Sequence, residues 1–114
     1  MVKLIVCLKR KPGISEAEFH RYWKDVHGPL VKSVPEFYRY VRKYVQSHTV
    51  SPRIPGFDTP PAPFDGVAEL WFDSLEDVRK AYAEPRFHEV LLPDGVKFFD
   101  VTGAYFFVVE EVLM

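Results

Sequence analysis

One cysteine, Cys7, is all the thiol chemistry this chain of 114 residues carries. An internal disulfide needs two thiols and a cysteine-cluster metal site needs more, so both are excluded. The four histidines, His20, His27, His48 and His88, have no ligand spacing, so no structural metal is expected. No apolar run reaches the roughly 18 residues of a membrane-spanning helix. The apolar start is short, charged residues follow it and no small-residue cleavage site appears, so it reads as a strand and not as a signal peptide. A phosphate loop, a dinucleotide fingerprint, a Gly-x-Ser-x-Gly elbow and a His-Glu-x-x-His helix are all missing. The formal net charge is only −1, which argues against nucleic acid or an acidic membrane as a partner. A cytoplasmic, reducing setting is the expectation.

Aromatic residues are plentiful instead, at 16% with ten Phe, six Tyr and two Trp. That much ring surface implies a large core, an apolar pocket, an oligomer interface, or all three. Charge is split along the chain. Residues 1–53 hold 11 Lys/Arg against 4 Asp/Glu, and residues 54–114 hold 4 against 12. The basic residues are interleaved with strand and helix signals and form no tail, so the halves are expected to pack on each other or on a second copy.

Residues 2–9 read as a first strand, broken by Lys11-Pro12-Gly13. Ser15 offers an N-cap with Glu18 at the capping-box position. Phe19, Tyr22, Trp23, Val26 and Leu30 then recur at helical spacing, with Arg21 and Asp25 as a solvent-side pair. Gly28-Pro29 is expected to bend or end this helix. Residues 37–50 read as a long strand with Tyr40, Arg42, Tyr44, Gln46 and His48 on one face. Five prolines between 51 and 65 mark a loop. Residues 66–73 are a third strand. Ser74 caps a second helix with Leu75, Val78 and Tyr82 as its buried stripe, and residues 86–92 restart as a short helical piece. Residues 102–113 form the last strand.

The whole chain, 1–114, is thus one βαββαβ domain of the ferredoxin-like α+β class, with two helices on one face of a four-stranded antiparallel sheet. The first and last strands are apolar on both faces, so the uncovered face needs a cover, and a second copy of the chain is the economical one.

His27 stands four residues after Trp23, beside the apolar stripe, where an imidazole can turn toward a sheet-side pocket and exchange protons near neutrality. The alternative is a histidine bonded to backbone at a helix end. Tyr44, Gln46 and His48, with Tyr40, form a row suited to an oxygenated aromatic ligand, or else to a polar interface. Glu69 lies mid-strand with Trp71 on its face and is either functional or paired with a base from the first half. His88 can reach a pocket mouth from the second helix. His20 is placed on the outer shoulder of the first helix, and Asp94, in Leu92-Pro93-Asp94-Gly95, reads as a turn residue.

Several of these segments resemble the EthD family. Tyr22-Trp23-Lys24-Asp25-Val26-His27-Gly28-Pro29-Leu30-Val31 is similar to its characteristic motif. Tyr44-Val45-Gln46-Ser47-His48 and Asp65-Gly66-Val67-Ala68-Glu69-Leu70-Trp71-Phe72-Asp73-Ser74 are similar to its second and third blocks, and Lys11-Pro12-Gly13-Ile14-Ser15 also matches. The resemblance implies a homodimeric α+β barrel with an apolar pocket between helices and sheet. Relatives of that barrel include polyketide cyclases, anthrone oxygenases, muconolactone isomerases and fungal dehydratases or decarboxylases, and some distant ones bind haem. The leading expectation is therefore a small cofactor-free enzyme. It would carry out dehydration, decarboxylation, cyclisation or isomerisation on an oxygenated cyclic or aromatic molecule. His27 would be the acid or base, with Tyr44 and His48 beside it. Trp23, Tyr40, Gln46, Glu69, Trp71 and His88 complete the candidate set. The competing expectations are a non-catalytic accessory protein for a hydrophobic metabolite or an oxygenase, and a haem-binding barrel.

Overall fold

Alternation along the first strand determines the layering. In β1 (Val2–Leu8) the residues Leu4, Val6 and Leu8 are buried, while Lys3, Ile5 and Cys7 face the other way. A computed structural model describes all residues 1–114. Its sheet has the order β2-β3-β1-β4, with β2 at Val41–His48, β3 at Gly66–Phe72 and β4 at Tyr105–Val109. Every neighbouring pair is antiparallel, which is the ferredoxin-like arrangement.

The helices cover one face. The first, α1, runs over residues 16–32 as an α-helix (Glu16–Tyr22), a π turn (Trp23–His27) and a further α segment (Gly28–Lys32). The second, α2, is the short Pro35–Tyr38. The third, α3, is Leu75–Ala83. The fourth, α4, joins a π turn (Phe87–Leu91) to Leu92–Gly95. Ser15 accepts from the Glu18 amide and Ser74 from the Asp77 amide, as the capping pattern requires. The core is one cluster in which Phe19, Trp23, Phe37, Phe72 and Phe98 are almost wholly buried.

Several sequence expectations are corrected. Gly28-Pro29 does not end the first helix. The π turn hydrogen-bonds the Gly28 amide to the Trp23 carbonyl, and Pro29 then enters the second helical position of a new segment, where a missing N–H costs little. The extra residue in that turn shifts the inward face, so Val31 is buried and Val26 is exposed. Arg21 pairs with Glu18 and not with Asp25. Residues 35–38 are helical, because Pro35 seeds a turn that closes against Val34, so β2 starts only at Val41. A bulge between Val41 and Lys43 turns Arg42 outward to Asp73, off the face of Tyr44. In α3 Val78 and Tyr82 pack against the core as expected, but Leu75 is exposed and the fully buried position is Ala81. The last strand ends at Val109.

The uncovered sheet face carries Ile5, Cys7, Val67, Trp71, Tyr105 and Phe107 around a Lys3–Glu69 ion pair of 2.7 Å. Tyr105 and Phe107 are about half exposed, at 63% and 48%. No helix is long and apolar enough to cross a membrane.

Candidate active site

A cavity of about 80 Å³ lies between the sheet and the helices. Its walls include Val6 and Leu70 from the sheet, Trp23 and Val31 from α1, and Phe98 and Phe106 from the last third of the chain. His27 is the only lining side chain that titrates near neutrality. Tyr44 and Tyr82 also line it.

His27 is held by a residue far away in sequence. Its Nδ1 lies 2.8 Å from Oδ2 of Asp94, and the Tyr22 hydroxyl donates to the other carboxylate oxygen at 2.6 Å. Asp94 is 7% exposed, so this carboxylate works in a poorly solvated corner. Burial pushes its carboxyl pKa up, but the hydrogen bonds from Tyr22 and His27 and the charge of Lys97 outweigh that and hold it below its ordinary value. Burial lowers the His27 pKa, and Asp94 only partly offsets it. At neutral pH the pair is therefore a carboxylate and a neutral imidazole. Nδ1–H donates to Asp94, and the Nε2 lone pair has no protein partner. Burial and Asp94 push the Tyr22 phenol up to about 12, so Tyr22 stays a donor.

Tyr44, Gln46 and His48 do share the helix-facing side of β2, opposite Leu70, Ala68 and Gly66 of β3. Gln46 Nε2 donates to the Trp23 carbonyl at 2.9 Å and to the Tyr44 hydroxyl oxygen at 3.0 Å. His48 Nε2 lies 2.9 Å from Gln46 Oε1, and His48 Nδ1 lies 2.7 Å from Nδ1 of His20. Two glycines permit this approach. A Cβ on Gly28 would stand 2.6 Å from Gln46 Nε2, and one on Gly66 would overlap the Trp23 ring. Burial lowers the His48 pKa, and the charges of His20 and Lys24 add to it.

Four candidates are not brought to this cavity. Glu69 and Trp71 alternate onto the uncovered face, where Glu69 meets Lys3 and the Trp71 indole donates to Glu111. His88 is exposed and bonds the Tyr82 carbonyl. Tyr40 packs at the edge of the core with its hydroxyl accepting from Arg39. Two residues were missed by sequence reasoning. Asp94 reads as a turn because proline and glycine flank it, and His20 reads as solvent-facing by helical phase. The identity of the residues gave no signal for either, although one acidic residue three positions from Leu91 on an otherwise apolar segment was a weak one for Asp94.

A match to the EthD domain spans residues 11–102. The chain is 33% identical over 106 residues to a conidial pigment biosynthesis dehydratase of Metarhizium robertsii, covering 87% of this chain and 74% of that protein. It is 27% identical over 103 residues to a decarboxylase of a Cryptosporiopsis species, covering 85% and 70% respectively. Among solved structures, it is similar to a dimeric protein of unknown function with a ferredoxin-like fold from Bacteroides fragilis. There the TM-score is 0.65 at 17% identity, over 96% of this chain and 95% of that one.

Proposed function

This chain belongs to the EthD family, and from that premise we propose that it is a small enzyme removing water or carbon dioxide from an oxygenated cyclic molecule by proton transfer. Relatives named as a dehydratase and a decarboxylase support the reaction class. The observation that carries the reading is the His27–Asp94 pair of 2.8 Å at the wall of an apolar cavity.

Asp94 fixes the tautomer, so Nε2 of His27 is the base. For a dehydration, Nε2 takes the proton from the carbon next to a substrate carbonyl, and negative charge moves onto the carbonyl oxygen. The Tyr44 hydroxyl donates a hydrogen bond to that oxygen. The C–O bond on the neighbouring carbon then breaks, and the imidazolium returns the proton to the leaving hydroxyl, which departs as water. The imidazole ends as it began, so the step needs no redox partner. The buried apolar walls of Trp23 and Phe98 limit competing water. Trp23 thus serves as a wall, and Gln46 and His48 as polar support behind Tyr44.

The functional unit is a homodimer closed through the uncovered sheet face, a reading supported by Tyr105 and Phe107 standing half exposed there and by the dimeric relative of the same fold. The ligand is a small hydrophobic molecule, and the single free thiol of Cys7 suits a cytoplasmic setting.

The test is to incubate the protein with a panel of hydroxylated cyclic ketones and their carboxylic acids, following loss of water or carbon dioxide by mass spectrometry. Loss in wild type that disappears in His27→Ala supports the reading. Equal loss in both proteins overturns it.

A further inference from the structure

The proton positions along β2 can be assigned from the acceptor-only and donor-only atoms at its ends. The Trp23 backbone oxygen can only accept, so the Gln46 atom 2.9 Å from it is the amide nitrogen. The second proton of that nitrogen then goes to the Tyr44 oxygen at 3.0 Å. Gln46 Oε1 can only accept, so His48 carries its proton on Nε2. A neutral His48 therefore presents a bare Nδ1, and His20 donates to it from its own Nδ1 across 2.7 Å. The polarity runs one way, from His20 through His48 and Gln46 to Tyr44. Tyr44 thus accepts from the Gln46 amide, and its own O–H has no acceptor within the protein.

We infer that Gln46, held by the His48–His20 pair, is a positioning residue that commits the Tyr44 proton to the cavity and so selects a substrate with a carbonyl oxygen there. This deepens the proposed function and rests on its assignment of the cavity as the substrate site. His48 and His20 act through Gln46 and do not touch substrate. The substrate class is a cyclic or aromatic ketone whose carbonyl meets Tyr44, since a group offering only an N–H or O–H there would face a second donor.

The experiment binds acetophenone labelled with carbon-13 at the carbonyl and reads its C=O stretch by infrared difference spectroscopy. Near-ultraviolet circular dichroism confirms the fold of each variant. In wild type the stretch falls below its value in a dry apolar solvent, and Tyr44→Phe restores that value. Gln46→Leu loses most of the downshift although Tyr44 is intact, because nothing then directs its hydroxyl. Gln46→Glu loses it too, since the carboxylate takes the Tyr44 proton for itself. His48→Leu weakens the shift, and His48→Gln, which keeps an N–H donor, retains more of it. His27→Ala leaves the shift in place, so a failure of the base assignment shows in turnover and not in this spectrum. Folded Gln46→Leu and Gln46→Glu proteins with the wild-type stretch overturn the inference. So does a wild-type protein that binds the ketone without a downshift or takes up none.

Discussion

Nδ1 of His27 and Oδ2 of Asp94 meet at 2.8 Å although 67 positions separate them in the chain. The contact joins the π turn of α1 to the last turn of α4, and it decides which imidazole nitrogen is left free. Removing the base by His27→Ala is expected to lower turnover by about 10²-fold or more. Asp94→Asn is expected to act at a distance from substrate. Its amide can donate to Nδ1, which moves the imidazole proton to Nε2 and blocks the base. Steady-state rates followed by loss of water or carbon dioxide measure both. His88→Ala, on the exposed helix, is the control and leaves the rate within a few fold.

Acid should weaken the fold earlier than the carboxylates alone require. His27 and His48 both have folded-state values below the unfolded imidazole value of about 6.5. Just below that pH the unfolded chain binds protons that the folded chain refuses. Stability is therefore flat above about 6.5 and falls as pH drops through the folded-state values. Asp94, also held below its ordinary value, adds a further loss at lower pH. Urea midpoints at about pH 7.5 and about pH 5.5 measure the difference. Equal midpoints contradict the buried neutral state of these two rings.

Gly66 should tolerate no side chain. A Cβ there overlaps the six-membered ring of Trp23, which is 1% exposed. Gly66→Ala is expected to cost about 1–3 kcal/mol of stability by overpacking. Denaturant unfolding measures it, and near-ultraviolet circular dichroism reports the displaced indole.

A charge on the uncovered face should separate the subunits. Phe107→Glu places a carboxylate among Ile5, Trp71 and Tyr105, where a second copy would have to bury it. Sedimentation velocity is expected to show a dimer for wild type and a monomer for the variant. A monomeric wild type contradicts the proposed assembly.

The strands and both helix starts were legible because burial alternates with period two in β1 and β3, and because Ser15 and Ser74 cap where the pattern places them. The face of Tyr44, Gln46 and His48 was legible for the same reason, and the bulge at Val41/Lys43 that removed Arg42 from it was not. Residues 35–38 misled because Phe37 and Tyr38 suit a strand as well as a helix, and Pro35 settled the choice locally. The π turn was invisible, since no residue type marks it, yet it sets the phase of everything after Trp23. Glu69 and Trp71 show the limit from the other side. Their alternation was read correctly, but which face of β3 meets the helices depends on tertiary packing. Asp94 and His20 could be found only in three dimensions, because each gains its meaning from a histidine in another element.

The most direct test of the central claim is the protonation state of His27, read by nitrogen-15 NMR of the ring across a pH titration. A neutral imidazole is expected at neutral pH, with the proton on Nδ1 and a bare Nε2. A titration midpoint below about 6.5 is expected as well, and loss of the Nδ1–H form in Asp94→Asn. An imidazolium at neutral pH, or a proton resident on Nε2 in wild type, would contradict that claim.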